Sequence, residues 1–130
     1  MNAIDTNVVV RLLTADDSKQ FSAARKLFQS GPIWIPSTVF LETAWVLSSL
    51  YQFSDADISQ AFVRLLGMGN VHTEDKSAVA DAVALISQGV EIADALHLSF
   101  RAKGARFYSF DRALVRQASR AGAAAVLHPA

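Results

Sequence analysis

The chain has 130 residues, of which 52% are hydrophobic and 18% charged, and it has a formal net charge of zero and no cysteine. This length fits one domain with a substantial core, and the composition excludes a disordered chain. The lack of cysteine excludes disulfides, thiolate nucleophiles and thiolate metal sites. A zero net charge excludes a general basic field, so a polyanion would have to be held by a local basic patch or by a metal ion.

The sequence has no segment typical of a membrane protein or a secreted protein. No apolar run reaches the roughly 18 residues that a membrane span needs. The N-terminus carries Asp5 and lacks the long apolar segment of a signal peptide. We therefore expect a cytoplasmic protein.

Short apolar runs alternate with amphipathic segments along the chain. Ala3 and Ile4 form the first run, which ends at the polar Asp5-Thr6-Asn7 before the apolar pattern resumes, and this predicts a strand, an acidic turn and a helix start. The further predicted strands are residues 33–35, 71–72, 107–109 and 125–127, and the further predicted helices are residues 18–28, 38–50 (capped by Ser37 or Thr38), 55–66, 75–88, 93–103 and 112–121. This alternation predicts a parallel sheet with helical crossovers.

Two candidate site residues follow predicted strands. Asp5 comes after the first strand, and Asp111 comes after the strand at residues 107–109. Because ligands of open α/β sheets bind beyond the carboxyl ends of the strands, both carboxylates are candidate site residues. Asp5 also has a purely structural interpretation as a helix N-cap.

Two further acids stand out by their neighbours. Glu42 has apolar residues at i−3, i+3 and i+4, which predicts an apolar helix face where a carboxylate needs a basic partner, a proton or a cation. Asp94 lies near a helix start one turn after Glu91, and two such acids repel unless a positive charge lies between them. A buried arginine beside Glu42, and a helix-capping role for Asp94, are the structural alternatives.

Several carboxylates in one crevice cannot all remain ionised without a counter-charge. With no thiols and only scattered histidines, the hard oxygen ligands favour Mg²⁺ or Mn²⁺ over zinc. The sequence has neither a Ser-His-Asp set nor a phosphate-binding glycine loop, which leaves metal-assisted hydrolysis as the predicted chemistry.

Three arginines repeat every four residues directly after Asp111. Arg112, Arg116 and Arg120 should therefore lie on one helix face, where they would form a local basic patch for the phosphates of a polyanion. A merely solvated face is the alternative interpretation.

The ordered set of Asp5-Thr6-Asn7, Glu42, ADALHL at residues 93–98 and SFDR at residues 109–112 resembles the PIN-domain family, specifically its VapC-type toxins of bacterial toxin-antitoxin pairs. The resemblance implies one PIN-like domain over residues 1–130, with a five-stranded parallel sheet of order 3-2-1-4-5 flanked by helices. It implies an acidic catalytic pocket of Asp5, Glu42, Asp94 and Asp111, of which Asp5, Asp94 and Asp111 bind metal, supported by Thr6, Asn7, Ser109 and Glu91.

The function that the resemblance implies is Mg²⁺- or Mn²⁺-dependent hydrolysis of RNA, with a cognate antitoxin protein as partner and a homodimer as the assembly. A partner-binding or signalling α/β domain with an acidic metal pocket and no nuclease activity is the alternative. A dehalogenase-like phosphotransferase would need a second aspartate where Asn7 stands, and nothing resembles the phosphoacceptor strand or late lysine of a receiver domain.

Overall fold

A computed structural model of the chain describes residues 1–123 and 125–130, which form two compact units, Met1–Lys76 and Ser77–Ala130. The first unit contains β1 (Asn2–Ala3), α1 (Thr6–Thr14), α2 (Ser18–Gln29), β2 (Ile33–Trp34), α3 (Ser37–Tyr51), α4 (Asp55–Leu66) and β3 (Val71–His72). The second unit contains α5 (Lys76–Ser87), which begins at the boundary between the units, and then α6 (Ile92–Ser99), β4 (Phe107–Tyr108), α7 (Arg112–Arg120) and β5 (Val126–Leu127). The predicted α/β architecture is confirmed. Among the helices of these residues, none has both the length and the hydrophobicity needed to cross a membrane.

The strands of the first unit form a parallel sheet in the order β1-β2-β3. Asn2 pairs with Ile33, which pairs in turn with Val71. The pairing continues one residue past each short strand, because the amide of Ile4 donates to the Trp34 carbonyl at 3.1 Å and that of Ile35 to the His72 carbonyl at 2.8 Å. The sheet therefore ends, on the β1 side, immediately before Asp5.

The helices of the first unit begin largely where their capping residues predict. Asp17 accepts a hydrogen bond from the Gln20 amide and starts α2, and Ser54 forms a reciprocal capping box with Asp57 at the start of α4. Helix α1 packs against α2 and α3, and α3 packs against α4, where the rings of Phe40 and Phe62 meet edge to face at 5.2 Å. These packed faces bury the core of the unit.

Helix α3 is capped differently from the prediction. Neither Ser37 nor Thr38 caps it, and Pro36 precedes the first helical residue. The Ser37 amide instead donates to both carboxylate oxygens of Glu74, at 3.1 and 2.7 Å. Burial raises the pKa of Glu74, but hydrogen bonds from the Ser37 amide, its own amide and the Thr73 hydroxyl outweigh this effect, and the pKa lies below its ordinary value. A residue 37 positions away thus supplies the cap.

In the second unit, β4 and β5 form a parallel pair, with Phe107 opposite Val126 and Tyr108 opposite Leu127. Helix α6 ends at Ser99 and is therefore shorter than the predicted helix at residues 93–103. The physical reason lies in Arg101, whose guanidinium donates to the carbonyls of Leu98 and Ala105 and so fixes a turn directly after the helix.

Two parts of the predicted strand order 3-2-1-4-5 are confirmed. Strands 3, 2 and 1 are neighbours in the first unit, and strands 4 and 5 are neighbours in the second. Residues 1–123 and 125–130 form a three-stranded sheet, β1-β2-β3, and a separate two-stranded sheet, β4-β5. One continuous five-stranded sheet, with strand one beside strand four, stays a prediction.

Candidate functional site

Asp5 lies between β1 and α1, as the sequence predicts. Its backbone is extended, and its Oδ1 accepts a hydrogen bond from the Val8 amide at 3.2 Å, so it is the N-cap of α1. The residue is exposed, and its other carboxylate oxygen receives no hydrogen bond from the part of the chain that the structure describes. Of the two predicted supporting residues that directly follow Asp5, Thr6 is buried at the first position of α1, and Asn7 is exposed. The capping role is therefore real, and it leaves one oxygen of Asp5 available.

Glu42 does not lie on a buried face of α3, contrary to the prediction. The buried stripe of this helix consists of Phe40, Thr43, Ala44 and Leu47 at helical spacing, and Glu42 is exposed. Trp45, expected beside it in the apolar stripe, is 63% exposed. Helix α3 has apolar residues around most of its circumference, so the sequence pattern alone did not identify the side that packs.

Within the described part of the chain, Glu42 forms no ion pair with a basic residue. Arg11 forms an ion pair with Asp16 at 3.1 Å and donates to the Tyr51 hydroxyl at 3.0 Å. Through its contact with Tyr51, Arg11 holds the C-terminal part of α1 against α3. Glu42 is an exposed carboxylate that needs no internal counter-charge.

Glu91, rather than Asp94, caps α6. Its Oε2 accepts from the amides of Ala93 and Asp94 at 3.0 and 3.3 Å. Asp94 lies in the first turn of the helix and is half-buried. The capping interpretation of Asp94 is therefore wrong, and Glu91 holds the segment in which Asp94 sits.

Asp111 is the N-cap of α7. Its Oδ1 accepts from the amides of Ala113 and Leu114 at 2.9 and 3.2 Å, and its own amide donates to the Ser109 hydroxyl at 3.0 Å. Ser109 thus fixes the backbone of Asp111. Within residues 1–123 and 125–130, neither Oδ2 of Asp111 nor Oε1 of Glu91 accepts a hydrogen bond, so each capping carboxylate keeps one open oxygen.

The acids of the second unit interact electrostatically. Partial burial raises the pKa of Asp94, and the negative charges of Glu91 and Asp111 raise it further, while His97 opposes them. We call Glu91, Asp94 and Asp111 the acidic cluster, because the charges of Glu91 and Asp111 disfavour ionisation of Asp94.

The acidic cluster suits a hard cation in ligand type. Its oxygens are of the kind that Mg²⁺ and Mn²⁺ prefer, and a cation would relieve the repulsion that raises the pKa of Asp94. Among the residues described here, however, no three histidine, aspartate or glutamate side chains meet closely enough to form a metal site by themselves.

The arginines of α7 lie as predicted on an exposed helix face. Leu114 and Ala118 form the buried side of the helix, and Arg112, Arg116 and Arg120 are all exposed. Where the structure describes the chain, none of the three arginines has a carboxylate within ion-pair distance. Their charges remain available to an anionic ligand.

Phe110 lies between Ser109 and Asp111, and sequence reasoning assigned it no role. It is 73% exposed. The sequence did contain a signal for Phe110, since this apolar residue stands between two polar candidate residues. Its exposure could not be inferred, however, because neither strand nor helix periodicity applies where a strand ends and a helix begins.

Comparison with known protein families supports the resemblance to the PIN domain. The family model for the PIN domain matches residues 3–120, which is most of the chain. A comparison with curated protein sequences finds no match. PIN domains are generally ribonucleases and hence hydrolases. The chain belongs to the PIN domain family, a family of nuclease-type domains.

Proposed function

We propose that this protein is a metal-dependent ribonuclease that hydrolyses RNA phosphodiester bonds, and that it is the VapC-type toxin of a bacterial toxin-antitoxin pair. The observation that carries the nuclease proposal is the acidic cluster, in which partial burial and then the carboxylates of Glu91 and Asp111 raise the pKa of Asp94. Such mutually repelling carboxylates, in a domain of a nuclease-type family, would be stabilised by a divalent cation.

Helix capping prepares two members of the cluster for binding. In Glu91 and Asp111, one carboxylate oxygen is held by two helix amides, so each side chain is oriented by hydrogen bonds to rigid backbone. Each second oxygen is then presented in a fixed position at no further conformational cost. Asp5 has the same arrangement, with one oxygen on the Val8 amide. Asp5, Asp94 and Asp111 are the proposed metal ligands.

The remaining acid orients water. Glu42 is exposed, and we assign it to orienting the attacking water rather than to binding the metal. When bound, Mg²⁺ or Mn²⁺ would supply Lewis-acid activation of water and neutralise charge on the phosphoryl oxygens.

The proposed partners are an antitoxin protein and a second copy of the chain in a cytoplasmic homodimer. These assignments come from the family resemblance. Three large hydrophobic side chains on helices of the first unit are more than 60% exposed, which suits contact with another protein: Trp45 and Leu50 on α3 and Val63 on α4.

The decisive test replaces Asp5 by Asn and uses Asp17→Asn as the matched control. Both aspartates are exposed N-caps that accept a hydrogen bond from the amide three residues later. Because Asn caps a helix about as well as Asp, both variants should unfold at nearly the wild-type temperature. Only Asp5→Asn should lose Mg²⁺-dependent cleavage of a labelled RNA, measured by gel assay.

Two results would contradict the proposal. Asp5→Asn could cleave as fast as Asp17→Asn, which would reduce Asp5 to a helix cap. Alternatively, the wild-type protein could cleave equally well in EDTA, which would contradict the metal dependence, or fail to cleave RNA with either cation, which would favour a binding or signalling domain without nuclease activity.

A further inference from the structure

Phe110 is an exposed aromatic residue with a fixed position. It is 73% exposed, although phenylalanine is among the residues most often buried. Its ring packs edge to face on the ring of His128, with centroids 5.5 Å apart at 88°. His128 is itself held, because its Nδ1 accepts the Ala130 amide at 3.1 Å. The Phe110 ring is therefore braced against protein and yet largely open to solvent.

The pairing of β4 with β5 produces this brace. Tyr108 lies opposite Leu127, and the next rung joins the Ser109 amide to the Leu127 carbonyl at 2.9 Å. The residues that follow, Phe110 and His128, are thereby brought side by side at the ends of the two strands. The position of the Phe110 ring thus depends on the sheet rather than on a free loop.

Charged and polar residues surround Phe110 in the chain. Ser109 and Asp111 flank it, and Arg112 follows as the first residue of α7, exposed and without a carboxylate partner in the described residues. The centre of a protein–protein interface is depleted in charged residues, so these neighbours fit such a contact poorly. An exposed ring beside unpaired arginines matches instead the two parts of a nucleotide, since bases stack on aromatic rings and phosphates bind arginine.

We propose that Phe110, braced by His128, stacks on an unpaired base of the RNA substrate and so positions the adjacent phosphodiester beside Asp111. This inference rests on the proposed ribonuclease function. It assigns Phe110 as a substrate-binding residue and His128 as a residue that positions it. The stacked base must be unpaired, because the face of a base within a duplex is covered by its neighbours.

The test measures binding of a short unpaired oligoribonucleotide by fluorescence anisotropy in EDTA, where the proposed hydrolysis is stopped. Phe110→Leu keeps an apolar side chain but removes the aromatic ring, and it should bind roughly 5- to 150-fold more weakly, as expected for loss of one stacked base. Phe110→Trp should retain wild-type affinity. Phe100→Leu, which alters another exposed aromatic residue of the same unit, is the matched control and should also bind normally.

His128 is tested through its effect on the ring. His128→Ala removes the brace and should weaken binding of the unpaired RNA, whereas His128→Phe restores an aromatic partner and should recover the affinity. None of the variants at either position should change the binding of an RNA duplex, because that binding uses phosphate contacts alone.

The outcomes separate this inference from the function on which it rests. If wild type cleaves RNA but Phe110→Leu binds unpaired RNA normally, or weakens duplex binding equally, the stacking role is wrong and the ribonuclease proposal stands. If Phe110→Leu instead changes the oligomeric mass in size-exclusion chromatography with RNA affinity intact, Phe110 is a protein contact. If wild type neither binds nor cleaves RNA, the proposed function itself fails.

Discussion

At the scale of single residues, the candidate acids combine a structural role with an open functional group. Asp5, Glu91 and Asp111 each hold helix amides with one oxygen, and the part of the chain described here gives the other oxygen no donor. Capping and ligand binding are therefore compatible in one side chain. For this reason, a capping hydrogen bond is no argument against a metal-binding role for the same aspartate.

Asp94 should make the metal-free protein less stable as the pH rises. Its pKa is raised in the folded protein, so the folded state holds this proton more tightly than the unfolded chain. Stability is then lost as the pH rises from the ordinary value of 3.8 through the raised pKa. Asp94→Asn removes the ionisation, and in EDTA it should melt at or above the wild-type temperature at pH 7, with the difference shrinking towards pH 4.

Thermal unfolding followed by circular dichroism at both pH values checks this expectation. Asp81→Asn, which neutralises an exposed aspartate of α5 in the same unit, controls for the change of residue type. A less stable Asp94→Asn protein at pH 7, or a difference that is equal at both pH values, would contradict the repulsion among Asp94, Glu91 and Asp111.

At the scale of secondary-structure elements, α7 separates its packing face from its charged face. Leu114 and Ala118 are buried, and the arginines that repeat every four residues occupy the exposed side. Asp111 caps the helix and Arg112 is its first residue, so its charged face starts beside the acidic cluster. A bound RNA strand that reaches the acids would thus meet the arginines along the same helix.

Replacing Arg112 and Arg116 together by Gln should reduce the salt dependence of RNA binding. Each lost phosphate contact lowers the slope of log affinity against log salt by about 0.7 for a single strand, so we expect a loss of about 1.4. The free energy of unfolding should change by no more than about 0.5 kcal/mol, because both side chains are exposed.

Arg25→Gln with Lys26→Gln is the control pair, since it removes the same charge from the exposed side of α2. Titrations at several salt concentrations compare the two double variants. Equal slopes for both would mean that the arginines of α7 form only a solvated face.

At the scale of the whole molecule, a net charge of zero gives RNA no general attraction. Binding would depend on local features, namely the arginines of α7, the exposed ring of Phe110 and the cation. Recognition by a few local contacts is typical of an enzyme that selects particular RNA sites, rather than of a protein that binds along the whole RNA.

The toxin proposal predicts that expression of this chain alone arrests bacterial growth. Asp5→Asn, produced as folded protein at the same level, should be harmless because it lacks cleavage. Growth curves after induction, with the amount of folded protein measured in parallel, check both expectations. Normal growth with abundant, folded, Mg²⁺-replete wild-type protein would contradict the toxin role and leave the nuclease proposal to the cleavage assay.

The sequence by itself determined the features that depend on neighbouring residues. The turn at Asp5, the capping of α2 by Asp17, the capping box of α4 and the start of α7 at Asp111 were all predictable, since each involves hydrogen bonds between residues at most four positions apart. The alternation of short strands and helices followed from the same local patterns.

Only the tertiary structure decided which side of α3 is buried, what caps it and how Asp94 is surrounded. Glu42 is exposed because Phe40, Thr43, Ala44 and Leu47 form the packed face, and a helix that is apolar around most of its circumference does not encode that choice. The cap from Glu74 and the influence of Asp111 on Asp94 join residues that are distant in the chain. Such pairs come together only when the elements that carry them pack, and local sequence patterns do not predict that packing.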